Sequence, residues 1–105
     1  MGDDGHTASL FPHTAALAET QRHAVANEVP QLNTTRLTLT APVINNAGLV
    51  VFLIAGVGKA NRLAEVIEGP SDSSRLPSQL IRPENGRLIW LLDEAAAGGL
   101  LAANG

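Results

Sequence analysis

The sequence predicts an α/β fold: an open, mainly parallel sheet with flanking helices. Three observations lead there. LVVFLIAG (49–56) is an unbroken aliphatic run closed by Gly56, the pattern of a strand covered on both faces. GKANRLAEVIEG (58–69) follows directly, with Leu63, Val66 and Ile67 at helical spacing and Gly69 as a stop. RLIWLLD (87–93) then supplies another buried strand. Strands alternating with helices in this order build an open α/β layer.

The remaining elements fit around these. Residues 1–13 are rich in Gly and polar side chains, then apolar at Leu10, Phe11 and Pro12, which predicts a loop. TAALAETQRHAVANE (14–28) is rich in Ala and Glu and predicts a short helix brought to an end by Pro30. RLTLT (36–40) alternates Leu37 and Leu39 with Thr38 and Thr40, a half-buried strand with the leucines as its apolar side. APVINNAG (41–48) carries Pro42 near a first turn and Gly48 at an end, which suits a helix of one or two turns. PSDSSRLPS (70–78) reads as a loop, and EAAAGGLLAA (94–103) as a small-residue helix weakened by Gly98 and Gly99. About three good strands are fewer than a doubly covered parallel sheet wants, so the chain reads as part of a sheet, in one unit over residues 1–105.

Composition narrows the function. The chain has 105 residues, 45% hydrophobic and 16% charged, which is globular rather than disordered. Phe11, Phe52 and Trp90 are its only aromatics, so aliphatic side chains must fill the core. A net charge of −3, with seven scattered Lys and Arg, argues against a nucleic-acid or membrane-surface partner. Without Cys there is no disulfide scaffold, thiol nucleophile or Cys-based zinc site, which fits a reducing cytoplasm. Asp3 and Asp4 stand where a secretory leader would be basic, and the apolar run from Leu49 to Ala55 is too short to span a bilayer.

The opening stretch, MGDDGHTASLFP, is the densest in chemistry. Gly2 and Gly5 permit a sharp turn, and His6 follows it. An imidazole is the natural proton acceptor near neutral pH, and Asp4 could orient it. Thr7 or Ser9 could cap a following helical turn. Chemistry alone favours a plain Gly-Asp turn with a surface histidine, because short motifs are weak signals.

A second candidate lies at the carboxyl end of the 49–56 run, where open α/β sheets bind ligands. There Gly56 and Gly58 precede Lys59, which opens a helix whose N-terminus favours anions. A lysine in that place is mildly unfavourable, by about 0.3–1 kcal/mol, and a bound phosphate would reverse the sign. An exposed lysine is the equal alternative. Leu53 and Ala60 rule out a P-loop, and Asn61 rules out a dinucleotide fingerprint.

Arg36 begins a strand and on spacing alone reads as solvated. His13 and His23 read as surface residues, and the three histidines lack metal-ligand spacing. Asp93 and Glu94 suit a helix cap better than catalysis.

Together these stretches resemble the 6-phosphogluconolactonase family, within the glucosamine-6-phosphate isomerase/deaminase superfamily. GDDGHTASLFPHT is similar to the family's loop Gly-x-Asp-Gly-His-Thr-Ala-Ser-Leu-Phe-Pro. RLTLTAPVINNAG, VVFLIAGVGKA and LPSQLIRPENGRLIWLLDEAAAGGL fit in the same order. The related deaminases continue after Asp-Gly-His with Ile-Ala-Phe-Asn-Glu-Pro, whereas this chain has Thr7-Ala8-Ser9-Leu10-Phe11-Pro12, which favours the lactonase branch.

The resemblance implies a Rossmann-like fold and hydrolysis of 6-phosphoglucono-1,5-lactone to 6-phosphogluconate in the pentose phosphate pathway, with no metal or organic cofactor. It matches His6 to the general base, Lys59 to the phosphate or carboxylate contact, and Arg36 to a recurrent arginine. Backbone N–H groups of the Gly2–Gly5 turn could help stabilise an oxyanion. The loop lies mid-chain in the family, so the sequence corresponds to its carboxyl-terminal half, without the Ser-Gly-Gly phosphate loop and the Asp-Glu-Arg motif. Three readings follow: a cytoplasmic lactonase or part of one, an inactive remnant that pairs through an exposed sheet edge into a homo-oligomer, and a sugar-phosphate-binding domain.

Overall fold

Residues 1–101 are described by a computed structural model. The order is β1 (Ala24–Val29), β2 (Thr34–Leu39), α1 (Ala41–Asn45), β3 (Leu49–Ile54), α2 (Ala60–Glu68), β4 (Arg87–Leu92) and α3 (Glu94–Ala97), with short 3-10 turns between them. The α/β class is as expected. The strands form two separate pairs, β1–β2 antiparallel and β3–β4 parallel.

β3, α2 and β4 form the parallel unit, and its core lies on one face. Phe52 and Ile54 point inward with Leu63 of α2, Ile81, Ala96 of α3 and Leu100. Each large side chain buried in this way contributes about 1.5–3 kcal/mol. Phe52 stands directly opposite Trp90 in the register, and their rings stack at 4.2 Å. Asp93 joins both ends of the unit. Its carboxylate accepts from Ala96 N–H at 2.8 Å, capping α3, and from Gly56 N–H at 3.1 Å, where β3 ends.

The outer face of this unit is open. Leu49, Val51, Leu53 and Leu91 are all exposed, so β3 is not covered on both faces as its continuous apolar run predicts. Hydropathy alone does not distinguish a covered strand from an apolar one left uncovered.

The hairpin departs further from expectation. Residues 14–28 are not a helix. Ala15–Ala18 make a 3-10 turn and Ala24–Val29 make β1, whose pairing with β2 outweighs the local helix preference of Ala and Glu. The alternation in β2 is real, but its faces are reversed: Leu37 is 83% exposed and Leu39 54%, against 4% for Thr38 and 0% for Thr40. The buried hydroxyls are hydrogen-bonded. Thr38 Oγ1 accepts from Ser9 N–H at 3.0 Å and donates to Leu39 C=O, and Thr40 Oγ1 donates to Arg22 C=O.

The helices 41–48 and 58–69 are shorter than predicted, and a 3-10 turn, Val57–Lys59, leads into α2. The 70–78 loop runs into a 3-10 turn at Pro77–Leu80. Of the helix predicted over 94–103, Glu94–Ala97 is helical, and residues 102 and 103 lie outside the described residues.

Candidate active site

The opening loop folds as two nested turns. Gly5 N–H donates to Gly2 C=O at 3.0 Å, and Gly2 N–H donates to His6 C=O at 2.9 Å. Gly5 has φ +85°, the left-handed region that side chains resist, and a Cβ there would press on Leu76. Its C=O accepts from Ser78 N–H at 2.9 Å, which pins the turn to the segment after α2. Gly2 packs close to the imidazole, and a Cβ on Gly2 would overlap Cε1 and Nδ1 of the His6 ring.

These turns bring Asp4 and His6 together. His6 Nδ1 lies 2.5 Å from Asp4 Oδ1, which also accepts from His6 N–H at 3.1 Å. Burial works to raise the Asp4 carboxyl, yet the hydrogen bonds from the His6 ring and amide, with the nearby imidazole charge, hold it below the ordinary range. The far side of the imidazole stacks on Phe11, with centroids 4.2 Å apart. Two contacts thus fix the ring plane, and Nε2 has no hydrogen-bond partner among the described residues.

The hairpin supplies the opposite wall. Arg36 in β2 pairs with Asn27 in β1, and directly opposed residues share a face of an antiparallel ladder. Asn27 is buried beneath the loop. Its side chain donates to Ser9 C=O and to Thr14 Oγ1, both at 2.9 Å, and accepts from Ala16 N–H at 3.2 Å. Arg36 stands on the same face and shares a cleft with His6. Asp3, Asp4, His6, Phe11, Leu32 and Arg36 together line an open cleft of about 460 Å³. Arg36 makes no side-chain hydrogen bond or ion pair among the described residues.

Lys59 approaches from the start of α2. Its Nζ lies 2.8 Å from Asp3 Oδ1 and donates to Met1 C=O at 2.9 Å. The hydrogen bond from Lys59, reinforced by its charge, lowers the Asp3 carboxyl. One turn further on, Arg62 Nε donates to Asp3 C=O at 3.0 Å. A cation at the entrance to α2, Lys59, and one in its first turn, Arg62, therefore hold the loop that carries His6.

The family model for glucosamine-6-phosphate isomerases/6-phosphogluconolactonase matches residues 1–90. The chain belongs to this family. A 6-phosphogluconolactonase of Synechocystis sp. is 48% identical over 101 residues, which cover 95% of this chain and 40% of that protein. The human 6-phosphogluconolactonase is 43% identical over 98 residues, covering 92% and 38%. Among solved structures, the 6-phosphogluconolactonase of Leishmania guyanensis aligns with a TM-score of 0.76 at 34% identity, over 94% of this chain and 39% of that one. That of Trypanosoma brucei aligns at 0.79 and 27%, over 95% and 40%. The chain thus spans about two-fifths of the length of these relatives.

In this family member the structure gathers Asp4, His6 and Arg36 around one cleft and joins Lys59 to it through Asp3. Gly5 shapes the turn, and its N–H is already bonded to Gly2 C=O. The Gly2 amide is likewise engaged, so neither glycine N–H of the turn points at a ligand as the oxyanion role requires. Thr7 and Ser9 cap no helix: Thr7 C=O accepts from Leu10 N–H, and Ser9 N–H donates to Thr38. His13 and His23 are exposed and lie outside the cleft.

Phe11, Leu32 and Asp3 line the cleft and were not singled out as site residues from the sequence. Phe11 was legible only as an apolar loop end. Leu32 becomes part of the site only through the hairpin, which the sequence does not announce. No helix among the described residues is long and apolar enough to cross a membrane.

Proposed function

We propose that this cleft hydrolyses a sugar-phosphate lactone, 6-phosphoglucono-1,5-lactone, to 6-phosphogluconate. The observation that carries the reading is the Asp4–His6 pair, with one ring nitrogen engaged and the other without a hydrogen-bond partner among the described residues, in a cleft that Arg36 also lines. An ionised carboxylate only accepts hydrogen bonds, so the proton of the Asp4–His6 contact sits on Nδ1. In the neutral form of the ring Nε2 is then an acceptor, as a general base requires.

Nε2 takes a proton from a water molecule as the water oxygen bonds to lactone C1. The carbonyl electrons shift onto their oxygen. When they return, the bond from C1 to the ring oxygen breaks, and His6 gives its proton to that oxygen. Base catalysis of this kind is worth about 10²–10⁴ in rate. Arg36 and Lys59 supply positive charge for the anionic groups, and Phe11 and Leu32 an apolar wall. These steps call for no metal or organic cofactor. A place in the pentose phosphate pathway belongs to the same proposal and is supported by the names of the relatives; a cytoplasmic location is part of the proposal as well.

A second reading keeps the family and removes the turnover: a folded remnant, or a sugar-phosphate-binding domain, that self-associates. The uncovered apolar face of Leu49, Val51, Leu53 and Leu91 favours it.

The test is hydrolysis of the lactone by the purified chain, corrected for the spontaneous reaction, beside His6→Ala. Turnover that disappears in the variant supports catalysis. A folded chain with no turnover, sedimenting as an oligomer, supports the second reading.

A further inference from the structure

Lys59 is the cation that the family resemblance assigns to the substrate's anionic group, yet its ammonium is already engaged by Asp3. The pair is uneven. The Lys59 side chain is 27% exposed and the Asp3 side chain 85%. The exposed Asp3 carboxylate thus engages the ammonium of a largely covered lysine side chain. It also lines the cleft shared by His6 and Arg36, where a bound anion would lie.

The backbone of Asp3 is held separately. Arg62 Nε bonds its C=O, and Lys59 is tied independently to Met1 C=O. Rotation of the Asp3 side chain alone would free one donor position on Lys59 without moving the turn that holds His6. Exposed ion pairs are weak, so a dianionic phosphate can replace this one.

We propose that the Asp3 carboxylate is a displaceable internal ligand of Lys59, holding the ammonium until an anionic group of the substrate takes its place. The proposal rests on the reading of the cleft as a sugar-phosphate site. On leaving Lys59, Asp3 remains beside the incoming anion and opposes it. Asp3 thus sets the affinity for anionic ligands without touching the reacting carbonyl.

The experiment is calorimetric titration of the full chain with 6-phosphogluconate at low ionic strength. It compares the unaltered chain, Asp3→Asn, Lys59→Ala and the double variant. Inorganic phosphate and gluconate, titrated separately, show which anionic group is exchanged. Asp3→Asn is expected to bind about three- to tenfold more tightly, and the gain is expected to vanish when Lys59 is also alanine. Asp3→Ala serves as a second variant, with the near-ultraviolet signal of Trp90 reporting the fold.

If the unaltered chain binds and Asp3→Asn binds no better, the proposal fails and the reading of the cleft stands. A gain that survives in the double variant also overturns it, because the effect is then one of net charge. If neither chain binds 6-phosphogluconate at millimolar concentration, the reading and the proposal fall together.

Discussion

Asn27 and Arg36 stand directly opposite each other across the β1–β2 hairpin, and one face of that hairpin serves two purposes through them. Asn27 is 1% exposed and fastens the His6 loop to the hairpin, while Arg36 is exposed and faces the same loop across the cleft. The position of the cation relative to the base is thus set by strand register.

Removing the fastening has a definite cost. Asn27→Ala leaves Ala16 N–H and Ser9 C=O without their partners. Each buried polar group left unpaired costs about 1–3 kcal/mol, so a loss of about 2–6 kcal/mol is expected in urea unfolding. Asn27→Asp keeps the acceptor for Ala16 and loses both donated bonds, so it is expected to be less stable than the parent chain as well.

Arg36 makes the opposite case. Its side chain has no partner to lose within the described residues, so Arg36→Ala is expected to leave the thermal midpoint unchanged. Loss of a charged contact to substrate raises KM by about ten- to hundredfold. Steady-state kinetics separate that effect from a fall in kcat.

Gly2 and Gly58 offer a matched pair of substitutions. A Cβ on Gly2 overlaps atoms of the His6 ring, whereas one on Gly58 meets nothing within 4 Å. Gly2→Ala must therefore displace the imidazole, and a misplacement of about 1 Å lowers turnover about 10²-fold. Gly58→Ala is expected to retain full activity. Lactone hydrolysis by the two variants, side by side, checks both expectations.

Acid sensitivity follows from carboxyls that fold into hydrogen bonds. Glu65 is lowered by Arg75, Asp93 by the amides of Ala96 and Gly56, and Asp4 by His6 after burial is overcome. A lowered carboxyl binds protons less well folded than unfolded, so acid favours the unfolded chain. Their contribution is complete above the ordinary carboxylate range of about pH 4 and is lost as pH falls through and below it. Thermal midpoints from pH 7 to pH 2 are expected to stay level and then decline. Asp4→Asn is expected to flatten part of the decline.

The site was more legible in the sequence than the scaffold around it. A loop as short as Gly2 to His6 places its groups by local turns, and residue types report local turns well. Lys59 was legible because a strand end and a helix start flank it. Arg36 was found by resemblance, and its spacing gave no hint of the cleft, since only the pairing of Arg36 with Asn27 turns it there. Long-range pairing also explains the failed helix over 14–28. In β2 the alternation is legible but not which side is buried, because hydropathy does not anticipate threonines buried by hydrogen bonds to Ser9, Arg22 and His23.

The most direct test of the central claim is the protonation of the His6 ring, read from nitrogen-15 shifts of the full chain at alkaline pH. The proposed base requires a proton on Nδ1, shared with Asp4, and a bare Nε2 with the shift of an unprotonated ring nitrogen. A proton on Nε2, with Nδ1 bare, would contradict the assignment of His6 as the base.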